Sequence, residues 1–253
     1  MKIQIVQHDI DQSDLRKNLA GISALLTDGA DLIVLSEMFN CGFTADAVKH
    51  TGADQQLTID WMRQEAERHN CLICGSLAYA ENGTTYNRLC VADANGIRAH
   101  YDKRHLFSMG GVESTDQYAA GANRTVVEVG GMRCLLQICY DLRFPVWSRY
   151  RNDYDTIIYV ANWPASRTDV WLTLLKARAI ENQCYTVGVN RIGTDGNIDY
   201  SGKSIIFGPR GEIIAQTTDN EQQSMIVELP LEPLLHFRKR FRVLADADNF
   251  TIL

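Results

Sequence analysis

No stretch of the 253 residues is rich enough in glycine, serine or proline to act as a linker, so one domain over residues 1–253 is expected. Basic residues are too few for a polyanionic partner. Twenty-five Lys and Arg against 31 Asp and Glu leave a net charge of −6, which argues against a nucleic-acid or acidic-membrane surface and makes a small molecule the default partner. The N-terminal M-K-I-Q-I-V-Q-H-D lacks the apolar run of a signal peptide or membrane span, which points to the cytoplasm. The seven cysteines are odd in number and scattered through apolar runs, and they suit reduced thiols better than a disulfide framework.

Familiar catalytic signatures are missing as well. There is no G-x-S-x-G nucleophile elbow, no H-E-x-x-H metal pair and no dinucleotide fingerprint, and the six histidines are dispersed. Cys71 and Cys74 have the spacing of a zinc or redox pair, yet on a strand residues three apart face opposite ways, and no second pair supplies further ligands. Gly202-Lys203-Ser204 resembles the end of a phosphate-binding loop, but Asn197 stands where its first glycine belongs. No metal or other cofactor is implied. Chemistry has to come from a cysteine without an obvious histidine partner.

What is present is concentrated in Met132 to Pro145, M-R-C-L-L-Q-I-C-Y-D-L-R-F-P. An apolar run stops at Cys139, charge follows at once, and Phe144-Pro145 opens a helix-compatible segment. A thiol on such a strand-to-helix edge lies where backbone N–H groups converge, an environment expected to favour thiolate and to hold an oxyanion. A free cysteine that merely packs would have the same local signature.

Elsewhere strands and helices alternate. Periodicity predicts strands over 2–7, 31–35, 71–80, 86–92, 97–101, 155–160, 185–190, 204–207, 212–216 and 225–229. It predicts helices over 14–28, with Ser13 as N-cap, 58–69 and 169–183. Asn82-Gly83, Asn95-Gly96 and Gly130-Gly131 mark hairpin turns, the last joining 124–129 to 133–138. Mixed sheets covered by helices follow. Residues 108–123, with Gly110-Gly111, form a surface loop able to cover a site. Roughly the last 20 residues, basic and aromatic from His236 on, make a tail that needs another surface to pack on.

Three predicted strand ends carry Glu37, Lys103 and Cys139. A thiol nucleophile needs a base to take its proton, a cation for the developing charge, and backbone donors. The carboxyl ends of strands in open α/β sheets converge on a crevice where ligands bind, so these three can meet. The segments L-S-E-M-F, Y-D-K-R-H-L-F and I-C-Y-D-L-R-F-P resemble the Glu-Lys-Cys signature of the nitrilase (carbon–nitrogen hydrolase) superfamily. A-N-W-P at 161–164, V-N-R at 189–191 and Y-S-G-K-S at 200–204 extend the similarity over essentially the whole chain, and the ω-amidase branch is the most similar.

The resemblance implies an α/β fold, a four-layer α-β-β-α sandwich, and a homodimer with the tail packed across partners. It implies hydrolysis of the terminal amide of 2-oxoglutaramate-like compounds through a cysteine thioester, without a cofactor. It also implies roles: Glu37 as base, Cys139 as nucleophile, Lys103 and the backbone N–H of Tyr140 on the oxyanion, and Glu113 as the second glutamate, in the loop before the nucleophile strand. Nearness to the motifs makes Phe43, Tyr118, Trp163 and Arg167 candidate substrate-binding residues, and Arg143 a candidate to pair with the site's acids. Hydrolysis of nitriles, carbamoyl-amines or other aliphatic amides stays open, as does a non-catalytic thiol-sensing protein.

Overall fold

A computed structural model describes residues 1–109, 111–196 and 198–251; Gly110, Asn197 and the tail's Ile252 and Leu253 lie outside the described residues. The first half runs β1 (Lys2–Gln7), α1 (Leu15–Ser23), β2 (Leu32–Val34), α2 (Ala53–His69), β3 (Leu72–Glu81), β4 (Thr84–Asp93) and β5 (Gly96–Asp102). The second runs β6 (Val126–Val129), β7 (Met132–Ile138), α3 (Pro145–Ser148), β8 (Thr156–Ala161), α4 (Thr168–Asn182), β9 (Tyr185–Asn190) and β10 (Ile192–Asp195). It continues through β11 (Ile198–Ser201), β12 (Ile205–Phe207), β13 (Ile213–Gln216), β14 (Gln223–Glu228) and α5 (Leu231–Arg240).

Two six-stranded sheets form, in the orders β14-β1-β2-β3-β4-β5 and β13-β12-β9-β8-β7-β6. Each is parallel at its centre, β1-β2-β3 and β7-β8-β9, and antiparallel towards its edges. The central strands are buried on both faces, which is why they show as continuous apolar runs in the sequence. Ile3, Ile5, Leu32 and Val34 of one sheet meet Leu136, Ile138, Ile158 and Val187 of the other between the sheets. Alternate residues of the first sheet, such as Val6 and Ile33, pack outward on Leu19 and Ile22 of α1 and Met62 of α2. Leu135, Ile157 and Tyr159 pack outward on Trp171 and Leu175 of α4. A side chain at Gly188 in β9 would collide with Leu175 and Trp171, so the glycine lets α4 seat against the sheet. Helix, sheet, sheet and helix give the four-layer sandwich.

Three local expectations change. Asp14, not Ser13, caps α1, its side chain accepting from the Lys17 amide at 2.9 Å, while the Ser13 hydroxyl is taken by Asp11 at 2.6 Å. That helix stops at Ser23, short of 28, and the Leu25 carbonyl instead accepts from the Gln4 side chain (3.0 Å) and the Ser224 hydroxyl (2.6 Å). The tail begins later than predicted, because 236–240 belong to α5. Leu234 is buried, and Arg238 donates to Asp155 Oδ1 and to the Gln183 carbonyl, both at 2.8 Å. Among the described residues no helix is long and apolar enough to cross a membrane.

Candidate active site

The carboxyl ends of β2, β5, β7 and β8 deliver Glu37, Lys103, Cys139 and Asn162 to one place. Two of these ends turn sharply: Met38 and Cys139 adopt left-handed backbone, with φ of 45° and 41°. For residues other than glycine this costs on the order of 1–3 kcal/mol and persists only where the surroundings enforce it. At Cys139 the enforcing group is Asp141. Its buried carboxylate accepts from the Ile138 amide (3.0 Å), the Tyr101 hydroxyl (2.8 Å) and the His105 amide (3.1 Å), and lies 2.7 Å from His105 Nδ1. The His105 ring in turn stacks on Phe144, with centroids 3.8 Å apart. Asp141 thus ties the cysteine turn to the segment that carries Lys103.

Lys103, Glu37 and Glu113 have no exposed side-chain surface, and Lys103 Nζ donates to Glu37 Oε1 and to Glu113 Oε2, both at 2.8 Å. Glu37 also accepts from Asn87 Nδ2 at 2.9 Å and from the Asn162 amide at 2.9 Å. Glu113 accepts from Asn87 Nδ2 and from the Phe107 amide, both at 2.7 Å. Every one of these partners is a donor, so the arrangement is two anions about one cation. Burial works to lower the Lys103 ammonium's pKa, but Glu113 and Glu37 outweigh it and hold the group above its ordinary value. Glu113 is raised by burial, against the pull of Lys103.

The Cys139 sulfur lies 3.9 Å from the Asn162 carbonyl. Withdrawal from water and then the charge of Glu37 push its thiol well above the ordinary value, and Lys103 offsets only part of this. Burial first, and then the charge of Glu37, thus work against the thiolate that the strand-to-helix edge on its own leads one to expect.

Cys139 opens onto a cavity of about 190 Å³, with the buried Lys103 behind its wall of Phe43, Phe107, Tyr140, Trp163 and Tyr200 and with Arg143 and Arg167 on its lining. Three of the four candidate substrate residues, Phe43, Trp163 and Arg167, are on this wall. Tyr118 is not among them; its amide closes a turn on the Ser114 carbonyl (2.9 Å), and its ring is buried with Met38, Cys41 and Ala78. Arg143 does not pair with the site's acids. It is exposed, its guanidinium lies 5.1 Å from the centre of the Trp163 ring, and among the described residues neither it nor Arg167 forms an ion pair. Arg167 sits over Phe107 at 5.8 Å. No group of His, Cys, Asp and Glu able to hold a metal occurs among the described residues.

Asn87, Asp141 and Asn162 complete the cluster and were not singled out from the sequence. Asp141 and Asn162 stand inside motifs already quoted, where a buried strand end needs polar partners. Asn87 has no local signal, because it sits in the middle of a strand. The β10–β11 hairpin, which brings Ile198 and Tyr200 to the cavity, was not predicted; the signal that could have found it is Gly196, which follows the paired Asp195 with positive φ.

The sequence profile of the carbon–nitrogen hydrolases matches residues 2–239. The chain is 43% identical over 256 residues to omega-amidase YafV of Yersinia enterocolitica, spanning 100% of this chain and 99% of that one. It is 31% identical over 222 residues to the 2-oxoglutaramate amidase of Bacillus subtilis, spanning 86% and 85%. Among solved structures, XC1258 of Xanthomonas campestris, a CN-hydrolase superfamily protein with an arsenic adduct in its active site, superposes with a TM-score of 0.93. The sequence identity is 34%, over 100% of this chain and 99% of that one.

Proposed function

The chain belongs to the carbon–nitrogen hydrolase family, and from that membership we propose that it hydrolyses the terminal amide of small ω-amido dicarboxylates such as 2-oxoglutaramate, releasing ammonia. The observation that carries the substrate class is the pair of arginines, without carboxylate partners among the described residues, on the wall of a small aromatic cavity that opens onto a thiol. At about 190 Å³ the cavity is below the range of roughly 300–1,000 Å³ for drug-sized ligands, which favours a short acyl chain. A guanidinium suits the distal carboxylate of such a chain.

In the proposed reaction Cys139 attacks the amide carbon while Glu37 takes its proton. Burial and the neighbouring carboxylate push the thiol up, so in this reading its proton passes to Glu37 as the sulfur attacks. Lys103 and the Tyr140 amide face the developing oxyanion. Glu37 then gives its proton to the departing ammonia, leaving an acyl thioester on Cys139. Water attacks the thioester, losing a proton to Glu37, which passes that proton to the departing Cys139 sulfur, so the carboxylic acid is released and the free thiol and the Glu37 carboxylate are regenerated. Glu113 keeps Lys103 charged and in place through its 2.8 Å contact. No cofactor enters these steps.

A single domain, a cytoplasmic location and a homodimer joined through the tail belong to the same proposal. Phe241, Val243 and Phe250 of the tail are exposed apolar side chains that a partner could cover. The function is tested by ammonia release from a panel of glutaramate, succinamate, 2-oxoglutaramate, simple aliphatic amides and simple nitriles. The carboxylate-bearing amides should turn over fastest, and preference for uncharged amides or nitriles would overturn the substrate class.

A further inference from the structure

Lys103 is not the only group that spans Glu37 and Glu113. The side-chain nitrogen of Asn87 donates to Glu37 Oε1 at 2.9 Å and to Glu113 Oε1 at 2.7 Å, one hydrogen to each. Asn87 is wholly buried in β4, and its backbone carbonyl accepts from the Lys103 amide at 3.0 Å. One residue therefore fixes the backbone of the cation and the side chains of both anions. The amide can face the carboxylates only through its nitrogen, since the reverse orientation would set oxygen against two acceptors. Its own oxygen is left without a partner among the described residues.

Two buried carboxylates sharing one ammonium carry excess negative charge, and the ordinary relief is for one of them to hold a proton. A neutral double donor offers another relief. It stabilises both ions without cancelling their charge, whereas a second cation would weaken Glu37 as a base and an apolar residue would leave both short of a donor. We propose that Asn87 is a positioning residue that keeps Glu37 and Glu113 apart and ionised, so that Glu37 stands unprotonated beside Cys139. This rests on the reading of Glu37 as the base.

Two substitutions test it, Asn87→Leu, which removes both donors, and Asn87→Asp, which keeps the shape and adds a like charge. Both raise the carboxylate pair, so the acidic limb of the kcat/KM profile should move up by about one pH unit. At neutral pH kcat should fall roughly tenfold, while KM stays within about twofold. An arm without turnover keeps this proposal separate from the amidase reading: alkylation of Cys139 by iodoacetamide, followed by mass measurement of the peptide that carries it. In the leucine variant Glu37 holds a proton over a wider range and no longer opposes the thiolate, so Cys139 should react faster than in wild type at mildly acidic pH. Profiles that overlay those of wild type overturn the proposal, and so does a lower kcat with an unmoved acidic limb, which would make the role purely structural. Should the leucine variant fail to fold, the acidic limb of the aspartate variant decides by the same criterion.

Discussion

Replacing Lys103 by methionine removes the cation that Glu37 and Glu113 share while keeping most of its volume. In wild type the ammonium sits 2.8 Å from each carboxylate, and none of the three side chains reaches solvent. Deleting one partner of a buried ion pair costs about 3–5 kcal/mol, because the remaining charge is left uncompensated. For a chain of this size, at about 2–4 °C per kcal/mol, Tm should fall by about 10 °C. The pH dependence has a definite sign. Glu113 is already raised by burial, and without the opposing pull of Lys103 it rises further, so the folded variant binds more protons than the unfolded chain and regains stability as pH falls through the raised value. The gap in Tm should be widest above neutrality and narrow towards about pH 5. Adding Glu113→Gln in the same variant removes one stranded charge and should restore part of the loss. Thermal melts of the three proteins across this range decide the matter. A Lys103→Met protein melting within about 2 °C of wild type at every pH, or a gap that widens on acidification, would refute the reasoning.

The other predictions follow from the same contacts. Glu37→Gln removes the charge that, after burial, raises the Cys139 thiol, so iodoacetamide should alkylate Cys139 faster at neutral pH although turnover drops by at least about a hundredfold; slower alkylation would contradict this. Asp141→Asn replaces the acceptor for the Ile138 amide and the Tyr101 hydroxyl, and should cost about 2–3 kcal/mol in a thermal melt and lower kcat by about tenfold or more as the Cys139 turn relaxes. Arg143→Met should raise KM for 2-oxoglutaramate about tenfold and leave that of an uncharged aliphatic amide unchanged, as initial rates would show.

The layered fold was legible because strands buried on both faces leave unbroken apolar runs and hairpin turns leave Asn-Gly dipeptides. Glu37 and Cys139 were legible for a related reason: each is a charged or reactive residue just past such a run, where burial demands a partner, whereas Lys103 follows the half-exposed edge strand β5 and stood out only through its motif. Tyr118 lies in the cluster against which Phe43 packs and not on the cavity wall itself, because closeness along the chain does not say which way a turn sends a ring. Arg143 was assigned to the acids because an arginine beside a carboxylate cluster invites pairing, yet those carboxylates are already satisfied by Lys103, Asn87 and backbone amides, and the guanidinium stacks on Trp163 instead. Asn87 was hidden by β-sheet geometry. Its task depends on which side chains converge across the strand ends, and a strand's own sequence does not record its distant neighbours.

The central claim is that Cys139 carries the acyl group between release of ammonia and attack by water. The most direct measurement mixes enzyme with excess 2-oxoglutaramate, quenches in acid, and compares the mass of the Cys139 peptide with the ammonia released. A peptide heavier by the acyl group, formed as ammonia first appears and absent from a Cys139→Ala protein that releases none, is the predicted result. Ammonia release that survives Cys139→Ala, or an acyl mass on a different residue, would contradict the account.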